Sequence, residues 1–153
     1  MPACAKLDDR VSVASQITLD EIPAIAEAGF TTLIGNRPDG EAEDQPDTAA
    51  LAAEARRHGL DFVHQPVVGS AIDMRDADAF DAALARARGP VLAFCRTGTR
   101  STTLWALGQA RRRPVDDVLA DARRAGYDLA GLRPRLEATA AMAALAAPGG
   151  ADG

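Results

Sequence analysis

The stretch PVLAFCRTGTRSTTLWALGQ, residues 90–109, changes its period in the middle. Residues 91–94 are a continuous apolar run of strand length, the pattern of a parallel strand covered on both faces. From about Ser101 to Arg112 the spacing turns helical, and the join is Cys95-Arg96-Thr97-Gly98-Thr99-Arg100. A strand that feeds a helix through a short polar turn is the building unit of parallel α/β sheets. This stretch therefore decides the fold class.

Upstream the same alternation repeats three times. β-prone runs at RVSVAS (10–15), TTLIGN (31–36) and LDFVHQPVV (60–68) are separated by helical patterns at 18–29 and 48–59, and a third, 77–89, leads to the fourth strand. Thr18 with Glu21 three residues on predicts a capping box, and Gly29 and Gly59 predict helix ends. The segment GSAIDMRD (69–76) reads as loop. Beyond Pro114 only helical patterns follow, at 115–126 and 132–147, with Pro134 near the start of the last, where its missing N–H costs little. The expectation is α/β: a small central parallel sheet of about four strands flanked by helices, with extra C-terminal helices. One domain over 1–148 and a flexible tail at 149–153 complete it. Cys4 is expected in a mobile tail.

The chain has 153 residues, 47% apolar, with a formal charge of −5. That size suits a single core, and the acidic balance argues against nucleic-acid or anionic-membrane partners, which need a basic face. Two cysteines give no disulfide framework, and the opening carries no apolar leader or span. A cytoplasmic protein is expected. With only His58 and His64 available, a metal centre would lack ligands, and neither a metal nor a cofactor is expected.

In parallel sheets ligands sit beyond the carboxyl ends of the strands, which singles out the Cys95 turn and the loops after the second and third strands. A helix start offers unpaired N–H groups and partial positive charge, so residues 96–101 form an anion cradle. Gly98 permits a tight curl, Arg96 and Arg100 add guanidinium groups, and Thr97, Thr99 and Ser101 add hydroxyls. A cysteine there is suited to act as a nucleophile rather than as a buried apolar residue. Cys95 and Arg100 are the catalytic candidates. Arg96, Thr97, Gly98, Thr99, Ser101, Asn36 and Arg37 are the substrate-binding ones. Asp39, Asp73 and Asp76 are candidate general acids or loop supports, although Pro-Asp-Gly is also ordinary turn chemistry. Trp105 is expected in the core.

The loop CRTGTR resembles the rhodanese active-site loop, Cys-x-x-Gly-x-Arg. It is also close to the tyrosine-phosphatase signature, in which the arginine stands one residue later, where this chain has Ser101. With NRPDGE (36–41), QP (45–46) and CRTGTRSTTLW (95–105), residues 7–107 resemble the beta-lactamase-hydrolase-like phosphatase domain, also labelled a sulfurtransferase family. The resemblance implies a tyrosine-phosphatase-like scaffold carrying a rhodanese-length loop. Relatives are sometimes fused to a metal-dependent hydrolase or dioxygenase domain, but this sequence has no His-x-His-x-Asp cluster.

Loop length favours sulfur. A ring one residue shorter is expected to fit a terminal sulfur better than a phosphoryl group, and sulfite leaves thiosulfate without needing a proton. The leading expectation is a rhodanese-type sulfurtransferase that passes sulfur from thiosulfate or a persulfide through Cys95 to a thiol acceptor, with Cys4 one conceivable internal acceptor. The alternative is a phosphatase working through a Cys95 phosphocysteine on a phosphate ester. A third possibility is a catalytically silent oxyanion-binding domain.

Overall fold

The computed structural model describes residues 1–146. Four strands, β2 (Val11–Ala14), β3 (Thr32–Gly35), β4 (Asp61–His64) and β5 (Val91–Phe94), run parallel, and β1 (Cys4–Lys6) pairs antiparallel with β2. The order across the sheet is β1-β2-β5-β3-β4. The architecture is α/β, as expected, with a mixed sheet of five strands where the sequence pattern predicted about four parallel ones. The extra strand lies in the stretch expected to be mobile. An edge strand is held by main-chain bonds, and Cys-Ala-Lys carries no apolar alternation to betray it. Its hairpin is closed by Asp8, whose Oδ1 accepts the N–H groups of Arg10 (2.8 Å) and Val11 (3.0 Å).

β5 lies between β2 and β3, which explains its apolar run: Val91, Leu92, Ala93 and Phe94 are all at most 3% exposed. One face of the sheet is covered by α1 (Ile22–Glu27) and α2 (Thr48–Arg57), the other by α3 (Met74–Arg86), α4 (Thr99–Gln109), α5 (Val115–Arg124) and α6 (Arg133–Ala146). The capping box predicted at Thr18 and Glu21 is present ahead of α1. The helices that follow β2 and β3, α1 and α2, lie on one face, whereas α4, which follows the β5 strand between them, lies on the other, so the carboxyl end of β5 opens into the crevice where such sheets bind ligands.

α4 is buried on nearly every side, its polar Ser101 and Thr102 included, and Leu104, Trp105, Ala106 and Leu107 have no exposed surface. The sheet covers one side of it, and α3, α5 and α6 cover the rest. The C-terminal helices thus clamp the helix that begins at the Cys95 loop. Trp105 fills the core while its indole N–H donates to Asp8 Oδ2 at 2.8 Å, tying α4 to the first hairpin. α3 begins three residues earlier than the pattern suggested, because Asp73 caps it. No helix among the described residues is long and apolar enough to cross a membrane. The tail expected at 149–153 lies outside the described residues.

Candidate active site

Cys95 follows the last residue of β5, and its N–H donates to Ala14 O (3.4 Å) on β2. On the other side Asn36 N–H donates to Phe94 O at 2.8 Å, so the loop springs from a point held by both neighbouring strands. Gly98 has φ +94°, which turns the chain back so that its N–H donates to Cys95 Sγ at 3.0 Å. That conformation suits glycine because an L side chain is strained there. The first α4 hydrogen bond runs from Thr102 N–H to Gly98 O (3.0 Å), which leaves the N–H groups of Arg100 and Ser101 ahead of it at the positive end of the helix.

Gly98 is hemmed in from outside. Tyr127, in the turn after α5, donates from its hydroxyl to Thr97 O at 3.1 Å, and a methyl group on Gly98 would collide with that hydroxyl. Burial pushes the Tyr127 hydroxyl up, and the nearby Cys95 sulfur adds to the shift. Nothing in the sequence links residue 127 to residue 98. Only the packing of α5 on α4 brings them together.

The guanidinium of Arg100 is held by its far edge. Nη1 donates to Glu41 Oε2 (2.8 Å) and to the main-chain oxygen of Val67 (2.9 Å), while Nη2 donates to Glu41 Oε1 (2.8 Å). The side fork, Nε–H with the second Nη2–H, has no acceptor within the loop network described. Arg100 is pushed above its usual range, first by its hydrogen bonds to Glu41 and also by the Cys95 sulfur. Glu41 is drawn down to about 2, first by Arg100 and then by Arg37. Arg37 is 7% exposed and donates from Nε to Glu41 Oε1 (2.9 Å) and from Nη1 to Gln16 Oε1 (3.1 Å). Glu41 and Gln16 were not foreseen, although Glu41 stands four residues after Arg37 in the loop that leaves β3.

Over this cluster opens a cavity of about 450 Å³ lined by Arg37, Glu41, Ala42, Val68, Gly69, Arg96 and Arg100. Cys95 itself is fully buried and does not line it, but its loop neighbours Arg96 and Arg100 do. Of the expected substrate contacts, Arg37, Arg96 and Arg100 line this space. Thr97 and Thr99 are exposed on the outside of the turn, their hydroxyls bonded to each other at 3.0 Å. Asn36 and Ser101 are buried and turned to one another. Ser101 Oγ donates to Asn36 Oδ1 at 2.7 Å, and Asn36 Nδ2 donates to Gln65 O at 3.0 Å. They form a strut between β3, α4 and the segment after β4.

The three aspartates are engaged as caps. Asp39 accepts the N–H of Thr48 at 2.9 Å at the start of α2, and that bond holds its carboxyl below the usual range. Asp73 accepts from Arg75 N–H (3.0 Å) and Asp76 N–H (3.2 Å), while Asp76 Oδ2 accepts the N–H of Asp73 at 3.0 Å. The Asp76 N–H does most to lower the Asp73 carboxyl. None of the three lines the cavity. Cys4 sits opposite Ala14, two strands from β5, so its Cα is roughly 10 Å from that strand at ordinary strand spacing, beyond the span of a disulfide.

The model of the family "Beta-lactamase hydrolase-like protein, phosphatase-like domain" matches residues 5–112. A beta-lactamase hydrolase-like protein of Xylella fastidiosa is 38% identical over 125 residues, 80% of this chain but 29% of that protein. The chain thus spans under a third of that curated relative. The crystal structure of a candidate phosphatase from Neisseria meningitidis is 39% identical and superposes with a TM-score of 0.82, covering 88% of this chain and 96% of that one. PTPMT1 in complex with PI(5)P, 14% identical, shares the fold at a TM-score of 0.73, with 94% and 99% coverage.

Proposed function

We propose that this chain, which belongs to the family of beta-lactamase hydrolase-like phosphatase-like domains, hydrolyses phosphate esters by way of a phosphocysteine on Cys95. The similarity to a candidate phosphatase and the phosphoinositide held by a protein of the same fold favour phosphate over sulfur. This reverses the order suggested by loop length. Counting residues from cysteine to arginine gives the position of a main-chain atom, whereas the acting group is a guanidinium at the end of a long side chain. Glu41 and the Val67 carbonyl lie outside the loop and set where that group ends. This arrangement is the observation that carries the reading.

Cys95 Sγ attacks phosphorus and the P–O ester bond breaks, with the leaving oxygen taking a proton from water. The side fork of Arg100 and the N–H groups at the start of α4 bind the non-bridging oxygens, whose charge is spread in the transition state. Water then attacks phosphorus, the S–P bond breaks, and phosphate leaves with the thiolate restored. Glu41 keeps both oxygens on guanidinium groups, and in this reading it positions Arg100 rather than donating a proton. Asn36 and Ser101 hold the loop against β3.

The occupied carboxylates also suit sulfur transfer, since sulfite needs no proton on leaving, and the test separates the two. Turnover of 4-nitrophenyl phosphate that is abolished in Cys95→Ser sustains the phosphatase. Thiocyanate from thiosulfate and cyanide, with a persulfide on Cys95 and no phosphate release, would replace it with the sulfurtransferase. Phosphate binding without turnover of either substrate would leave an oxyanion-binding domain.

A further inference from the structure

The cavity beside the Cys95 loop is more cationic than one phosphoryl group requires. Three guanidinium groups, those of Arg37, Arg96 and Arg100, face it against the single carboxylate of Glu41, in a chain whose formal charge is −5. Arg37 and Arg100 are committed to Glu41 and its neighbours. Arg96 differs from both. Its main-chain oxygen is fixed by the N–H of Gln16 (3.3 Å), yet among the described residues its exposed side chain has neither a hydrogen-bond nor an ion-pair partner. The remaining lining residues, Ala42, Val68 and Gly69, offer no competing charge.

We infer that Arg96 forms a second anion subsite beside the cradle, so that the preferred substrate is a small phosphate ester carrying a further anionic group, a carboxylate or a second phosphate, near the scissile bond. This rests on the phosphatase reading of the Cys95 site and names its substrate class. A cavity of about 450 Å³ falls within the ~300–1,000 Å³ range of small-molecule sites. A guanidinium closes on a carboxylate through a planar fork, so less freedom is lost per hydrogen bond formed than with an ammonium group. Such a charge-assisted contact in a partly enclosed site discriminates by about tenfold to a hundredfold.

The experiment compares 3-carboxyphenyl phosphate with 3-carbamoylphenyl phosphate, which have nearly the same shape and differ by one charge. The wild type is expected to favour the carboxylate by about tenfold or more in kcat/KM, the preference to collapse toward unity in Arg96→Gln, and to reverse in Arg96→Glu. Equal kcat/KM for the two esters in the wild type, or a preference that survives both substitutions, overturns the inference. The two esters are also titrated by calorimetry into Cys95→Ser and into Cys95→Ser/Arg96→Gln. Should the wild type hydrolyse neither ester, the phosphatase reading falls while this binding pair still decides the subsite. An Arg96-dependent preference for the carboxylate sustains it, and equal affinities refute it.

Discussion

Replacing Glu41 by glutamine keeps the side chain's shape and removes its charge, which tests whether this carboxylate holds the site's guanidinium groups. In the folded protein its carboxyl lies at about 2 instead of 4.5, a difference that corresponds to about 3 kcal/mol in favour of the ionised form. The side chain keeps 30% of its exposure, so screening by water brings the expected contribution to about 1–2 kcal/mol. The sign follows from linkage. A carboxyl depressed by folding contributes its full stability above about 4.5 and loses it as pH falls toward 2, with roughly half gone by pH 3. Urea unfolding of the wild type and Glu41→Gln at pH 7, 5, 4 and 3 should therefore show a gap of about 1–2 kcal/mol that narrows only below about pH 4.5.

The kinetic consequence follows from geometry. Without the charged fork Arg100 is free to swing, and kcat/KM for an aryl phosphate should fall about tenfold to a hundredfold. Arg100→Gln should fall at least as far. The double variant should be no worse than Arg100→Gln alone, because Glu41 acts through the arginine. A stability gap that does not change with pH, or losses that simply multiply in the double variant, would refute the reasoning.

Gly98→Ala forces a positive φ on an alanine and drives its methyl into the Tyr127 hydroxyl, so a loss of about 1–3 kcal/mol is expected in thermal unfolding. Adding Tyr127→Ala should relieve the collision without recovering the backbone strain. Asp73→Ala removes the α3 cap and should cost about 1 kcal/mol, while the alkaline limb of the pH–rate profile stays where it is in the wild type. Disappearance of that limb would make Asp73 the proton donor instead.

Much of the fold is written in local patterns. The apolar run 91–94 between a helix and a cysteine loop is enough to place β5 in the middle of a parallel sheet, since a strand covered on both faces cannot alternate. The same local chemistry marks Gly98 as the residue that turns the cradle, and Arg100 as a cation one helical step from the nucleophile. β1 escaped because its pairing is carried by main-chain groups, which three unpatterned side chains do not reveal. The start of α3 was misplaced because Asp73 and Asp76 looked like loop acids when they are its capping box.

The sequence by itself determined the cysteine loop between a strand and a helix and the α/β scaffold around it, because each depends on residues within about a dozen positions of one another. Only tertiary structure decided what Arg100 points at, what holds it, and which acids are occupied elsewhere. Glu41 and Val67 reach Arg100 across 59 and 33 residues, Ser101 meets Asn36 across 65, and Tyr127 closes over the loop from 30 residues away. Contacts at those separations are set by how helices stack on the sheet, and no local pattern of residues encodes them.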